Sequence, residues 1–385
     1  MGALQKIFRA HAPQYLARFG DTMPAAQHKV IAAILACRTP QAGSVVFQCC
    51  ACGEAHHIAR CCGNRHCPAC HGRKAYQWLE RQLTRALPTH HFMLTFTVPE
   101  PLRAFLRSHP RIGYETLFAA STAAIKTLAP DPRFGLGDQP GFFGVLHTWG
   151  RTLQYHPHIH YLVPGGALSS SDQQWHWASA GFFLPVPALS VLFRAKFRDA
   201  IKRAGLIEHI PAEIWTIAWN VNCQAVGAAQ ASLAYLARYL FKVAIAEGRI
   251  VGFDEASVRF SYRKPHSNRT RTMALAPMEF IRRFLQHVLP AGFVKVRYYG
   301  FLSPTCSVPL AEVRARVEMA QGFMTKPLSA QIDAPAPLPG CSHCGGVLRF
   351  VRVLRQLPHS PLVLAGAIRA TTGLTDFPSV NAAGP

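Results

Sequence analysis

Eight of the twelve cysteines fall between Cys37 and Cys70, and two more sit in Cys341-Ser342-His343-Cys344. This crowding limits the fold more than any other feature, because thiols so dense either cross-link an exported scaffold or converge on a metal ion. A disulfide framework spreads its cysteines, whereas these come largely as C-x-x-C pairs, the pattern of zinc knuckles in a reducing compartment. Cys49-Cys50-Ala51-Cys52-Gly53 and Cys67-Pro68-Ala69-Cys70 are close enough to offer four thiolates to one tetrahedral Zn2+. The expected ligands are Cys49, Cys52, Cys67 and Cys70, with Cys50, Cys61, Cys62 and His66 near enough to substitute. Cys341 and Cys344 read as half a knuckle that would need His343, His359, Cys306 or another chain to close it.

Charge sets the partner. Lys and Arg number 41 against 19 Asp and Glu, a formal charge of +22 in a chain of 385 residues. Such self-repulsion is best tolerated when the partner is a polyanion, and nucleic acid is the usual one. No run of 18 or more apolar residues and no export signal are found, so the chain is expected to be cytoplasmic and off the membrane. Arg60, Arg65, Arg73 and Lys74 surround the cysteines and are suited to DNA phosphates. With 49% apolar residues there is ample core for two or three domains.

The pattern along the chain predicts helices over residues 1–36, with Pro13 near an early boundary, and over 74–87. A strand follows at His91 to Val98, where Phe92, Leu94, Phe96 and Val98 share a face, and then a helical region from Pro101 to Ala129. Phe142 to Trp149 and His158 to Val163 read as two strands joined by a short hairpin. Alternation puts His158 and His160 on one face, and the hairpin brings His147 alongside as a third imidazole. Gln154 and Gln224 are the alternatives for that third position. Three neutral imidazoles leave open positions on a divalent ion for phosphate oxygens and water. A basic amphipathic helix is expected from Pro187 to Ala204, and a strand over Trp215 to Asn222. The segment Ala228 to Ala246 reads as a helix in which Tyr235 and Tyr239 lie one turn apart, with Lys242 extending their face. A tyrosine beside a metal-polarised phosphate is equipped to attack it.

At this point the chain resembles transposases of the insertion-sequence 91 family, the two-tyrosine rolling-circle group of HUH endonucleases. The resemblance rests on Cys62-Gly63-Asn64-Arg65-His66-Cys67-Pro68-Ala69-Cys70, Leu146-His147-Thr148-Trp149-Gly150, His156-Pro157-His158-Ile159-His160, Val163-Pro164-Gly165-Gly166, Tyr235-Leu236-Ala237-Arg238-Tyr239 and Arg297-Tyr298-Tyr299-Gly300-Phe301-Leu302. The order of His147, His158 and His160 is also similar to the three-histidine spacing of conjugative relaxases. The resemblance implies an α+β chain: a small zinc-binding module, then an RRM-like antiparallel sheet with the histidines on a central strand. It implies Mg2+ or Mn2+ at the histidines, and Tyr235 and Tyr239 as nucleophiles that cut single-stranded DNA through a 5′-phosphotyrosine. Lys242 then falls where a phosphate contact is expected, and Arg65, Arg73, Lys74, Arg238 and Arg297 are the expected DNA contacts.

The expected domains are a helical and zinc-binding module over 1–87, an endonuclease domain over 88–305 and a C-terminal linker with its knuckle over 306–385, ending in a disordered tail. Two other classes stay open from sequence alone. One is a zinc-dependent DNA-binding protein without catalysis, and the other is a histidine-triad nucleotide hydrolase, which would leave the cysteines, the charge and the tyrosines without a role.

Overall fold

A computed structural model describes residues 2–134, 136–241, 244–263, 267, 269–326, 328 and 340–355, without the side chains of Arg238, Tyr239 and Phe241. Lys242, His359, the linker expected before Gly340 and the tail expected from Thr371 lie outside the described residues. The fold is mixed α+β with antiparallel sheets, and the chain divides into two compact units. One comprises Met1–Tyr76, Phe241–Ile281 and Ile332–Pro385, and the other Gln77–Leu240 and Arg282–Gln331. The division is therefore not the linear one expected at residues 87 and 305. The segment after 306 is more than a linker: it forms a helix, Leu310–Gln321, and a strand, Leu348–Leu354.

The first unit begins with helices Ala3–Phe19 and Ala25–Ala36. Pro13 lies inside the first of these rather than at its edge, which costs the helix one backbone donor. Buried Gln5 donates through Nε2 to the carbonyls of Leu35 (3.2 Å) and Cys37 (2.7 Å), fixing the chain where the second helix ends. A three-stranded antiparallel sheet follows, ordered Leu348–Leu354, Ser44–Cys49, Ala55–Ala59. A second sheet is built from Ile250–Phe253, Val258–Arg263 and Thr270–Leu275.

The second unit holds a five-stranded antiparallel sheet, ordered Val296–Tyr299, Phe142–Trp149, Tyr155–Pro164, His91–Thr97, Asn220–Gly227. Tyr155–Pro164 is the middle strand. Its odd-numbered residues Ile159, Tyr161 and Val163 join Phe92, Leu94, Phe96, Phe142 and Leu146 in one buried core. Helices Pro110–Leu128 and Val186–Arg203 cover that core, with Leu117, Phe118, Ile125, Phe193 and Phe197 inward. Burying each large side chain is worth about 1.5–3 kcal/mol, and this face must be dry. Tyr161 meets the resulting problem of a buried hydroxyl by bonding Ser121 Oγ at 2.7 Å. Gly144 makes the ring's place: a Cβ there would lie 2.4 Å from Tyr161 Cε1. The strand expected from Trp215 begins only at Asn220, because Ala212–Trp215 is a 3-10 turn and Trp219 folds back onto Phe193 and Phe197.

Candidate active site and cysteine clusters

Because alternate residues of a strand face opposite ways, committing Ile159 and Tyr161 to the core turns His158 and His160 to the other side of the sheet. The hairpin pairs His147 directly with His158, and Val145 with His160. Paired residues point to the same face, so the three imidazoles converge: ring centroids are 5.3 Å apart for His147 and His158, 4.7 Å for His147 and His160, and 4.8 Å for His158 and His160. One nitrogen from each lies within 4.8 Å of the others.

The neighbours orient these rings. His158 donates from Nδ1 to the carbonyl of His156 at 2.6 Å, which leaves its Nε2 as the lone-pair nitrogen. His160 Nδ1 is 2.8 Å from Thr95 Oγ1, its cross-strand partner. Hydrogen bonds of this kind hold the tautomer and ring plane of metal-binding histidines. Burial is the main cause that lowers the pKa of all three, with the other histidines adding to it, and His160 is brought down to about 4. Neutral rings with available lone pairs are the result at pH 7. His156, on the same face, instead accepts from Arg103 Nη2 at 2.9 Å and is not part of the cluster. Lys295, largely buried, sits with Nζ 4.8 Å from the Trp149 ring and close enough to His147 to disfavour its charging.

Helix Ala229–Phe241 supplies the tyrosines. The Tyr235 ring is 6.0 Å from that of His160, edge to face at 86°, and the residue is 41% exposed. Tyr239 is one turn further along the helix backbone, and its side chain, like that of Arg238, lies outside the described residues.

Arg297 is not beside the histidines. It pairs with Gly144 in the sheet and so faces the helices, where it meets Glu115 at 2.7 Å and covers the Phe118 ring at 4.3 Å. A cation already held by a carboxylate and an aromatic face is poorly placed to contact DNA at the histidines. Arg65, Arg73 and Lys74 are exposed, as a phosphate contact requires.

The cysteines divide differently from their spacing. Cys67 and Cys70 gather with Cys37 and Cys62, while Cys49 and Cys52 gather with Cys341 and Cys344. The four cysteines expected together thus belong to two clusters. In the first, Cys70 Sγ is 3.6 Å from both Cys37 Sγ and Cys62 Sγ, and the Cys62 backbone N–H points at Cys37 Sγ. Four thiols converging in this way suit a tetrahedral zinc. Cys37 was not among the expected ligands, and no local motif marks it: it stands alone at a helix end and reaches the cluster through tertiary structure. Thr95 left a weak signal, a polar residue between Leu94 and Phe96 on the strand's second face.

Over residues 141–308 the chain matches the family described as "Putative transposase", and over residues 7–98 the family described as "Transposase zinc-binding domain". It is 38% identical over 316 residues to "Putative transposase y4qJ" of Sinorhizobium fredii (strain NBRC 101917 / NGR234), covering 77% of this chain and 79% of that protein. It is 27% identical over 320 residues to the transposase for insertion sequence element IS801 of Pseudomonas savastanoi pv. phaseolicola, covering 76% and 74%. No solved structure matches the chain. These matches define a transposase with an amino-terminal zinc-binding domain, acting on DNA in transposition. The chain belongs to the insertion-sequence 91 family of transposases. Among the described residues no helix is long and apolar enough to cross a membrane.

Proposed function

We propose that the chain transposes DNA by a rolling-circle route, as an HUH endonuclease that cuts and rejoins single-stranded DNA through a 5′-phosphotyrosine. The observation that carries this reading is the convergence of His147, His158 and His160 with the Tyr235 ring 6.0 Å from one of them. The Tyr235 phenol oxygen gives up its proton and forms the new bond to phosphorus, while the 3′ oxygen leaves with its bonding pair and takes up a proton, giving a covalent 5′ end and a free 3′-hydroxyl. Tyr239, one turn further along the helix backbone, is the proposed nucleophile for a second strand.

The three histidines are the residues that would hold a divalent ion, and an ion there would polarise the scissile phosphate. Three neutral nitrogens fit Mn2+ well and Mg2+ less well, since Mg2+ takes oxygen ligands. Lys242 is the proposed phosphate contact, and Lys295 is a cation beside the cluster. A groove lined by Arg103, Arg107, Arg282 and Arg283 with Gln154 and Tyr155 lies where the histidine strand begins. Four guanidiniums along one groove suit the backbone of an extended single strand, and Arg65, Arg73, Lys74 and Arg238 are further proposed DNA contacts.

The test is nicking of labelled single-stranded DNA from the element's ends, with Mn2+, with Mg2+ and with chelator. Cleavage with Mn2+ that disappears on chelation and in His158→Ala and His160→Ala, while DNA binding persists, is the expected result. Tight binding without cleavage under any condition would overturn the enzymatic reading in favour of a DNA-binding protein.

A further inference from the structure

We propose that Cys49, Cys52, Cys341 and Cys344 hold a second zinc ion, closing a ribbon whose two knuckles come from opposite ends of the chain. Cys341 and Cys344 lie outside both stretches that match the family descriptions, 7–98 and 141–308, so neither match assigns this site.

The two knuckles are copies of each other in backbone as well as in sequence. Each is C-x-x-C-G. The glycine that follows has φ of 76° at Gly53 and 74° at Gly345, a conformation that favours glycine. Each glycine N–H returns to the carbonyl of the first cysteine, Gly53 to Cys49 at 3.1 Å and Gly345 to Cys341 at 2.8 Å. In each, the backbone N–H two residues after the first cysteine points at its sulfur at 3.4 Å, from Ala51 to Cys49 and from His343 to Cys341. N–H groups aimed at sulfur disperse thiolate charge, which a metal-bound cysteine carries and a neutral thiol does not.

The pairing of strands brings the two turns together. Leu348–Leu354 runs antiparallel to Ser44–Cys49 with Ser44 opposite Leu354 and Cys49 opposite Leu348, and the Cys50 N–H donates to the Val347 carbonyl at 2.9 Å. The sulfurs then meet across the seam: Cys49 and Cys344 at 3.4 Å, Cys52 and Cys341 at 3.6 Å. All four lie within 4.8 Å of one another. Zn–S bonds of about 2.3 Å in a tetrahedron separate sulfurs by about 3.8 Å, so the spacing suits a shared ion. His56 Nε2 lies 3.1 Å from Cys341 Sγ, within hydrogen-bond distance of that sulfur. A ribbon of this kind joins residues 289 positions apart in the chain.

The test uses the full chain purified in reducing buffer, with zinc counted by mass spectrometry and cysteine accessibility mapped by alkylation before and after chelation. Two zinc ions per chain are expected, with Cys49, Cys52, Cys341 and Cys344 protected until chelation and exposed Cys50 alkylated throughout. The double variant Cys341→Ser/Cys344→Ser should retain one zinc and lose protection of Cys49 and Cys52, while Cys62, Cys67 and Cys70 stay protected. One zinc per wild-type chain with Cys341 and Cys344 freely alkylated would overturn the proposal. So would persistent protection of Cys49 and Cys52 in the double variant, or Cys49–Cys344 cross-links in place of the second ion.

Discussion

The Tyr235 ring approaches the His160 ring edge to face at 6.0 Å, although 75 positions separate them in the chain. The relationship arises from a single choice of register. Once Ile159 and Tyr161 are buried under the helices, His160 must face the other way, toward the helix that carries Tyr235. The apolar half of the strand thus positions its polar half.

Thr95 offers a direct check on the orientation of His160. Thr95→Val keeps the shape of the strand but removes the oxygen 2.8 Å from His160 Nδ1. Loss of such a partner typically costs about 10–100-fold in metal affinity. Mn2+ binding measured by calorimetry should weaken by that order, with the thermal midpoint nearly unchanged. Unaltered affinity would mean that the hydroxyl does not hold the ring.

Gly144 is expected to be intolerant of any side chain. Its added Cβ would press on the Tyr161 ring at 2.4 Å, and that ring is fully buried with its hydroxyl bonded to Ser121. Gly144→Ala should destabilise the protein by about 1–3 kcal/mol through overpacking, read as a lower denaturant midpoint. A midpoint equal to the wild type would show that the core can shift at no cost.

Stability should fall as the pH drops below neutral, for a reason separate from the histidine cluster. Burial lowers the pKa of His91 to about 4 and that of His287 to about 3; carbonyl hydrogen bonds from Thr89 and Leu153 oppose the shift, and His90 and Lys295 add to it. The unfolded chain therefore binds more protons than the folded one below about pH 6.5. The stabilisation is complete above that value and declines as the pH falls toward the folded pKa values. Each histidine should remove about 2 kcal/mol by pH 4.5. Chemical denaturation at pH 7.5 and 4.5 measures this, and a stability constant across that range would contradict the burial of neutral imidazoles.

Much of the histidine strand was legible because polar and apolar residues alternate at its start. His158-Ile159-His160-Tyr161 alternates in the β manner, and the short hairpin returns His147 beside His158. The cysteine clusters were harder to read. Spacing makes Cys49, Cys52, Cys67 and Cys70 neighbours in sequence, but strand pairing to residues 348–354 draws the first knuckle away, and Cys37 takes part through the helix end that Gln5 holds. No local pattern encodes a partner 289 positions distant. Arg297 illustrates a related limit: its charge was legible, but the face on which it falls depends on pairing with Gly144, and that face carries Glu115.

The most direct test of the central claim is a covalent-adduct assay. Labelled single-stranded DNA from the element's ends is incubated with protein and Mn2+, and the adduct is resolved under denaturing conditions for wild type, Tyr235→Phe, Tyr239→Phe and the double variant. The wild type should become covalently linked, each single variant should retain at most part of the adduct, and the double variant should show none. An adduct of undiminished yield in the double variant would contradict the tyrosine mechanism.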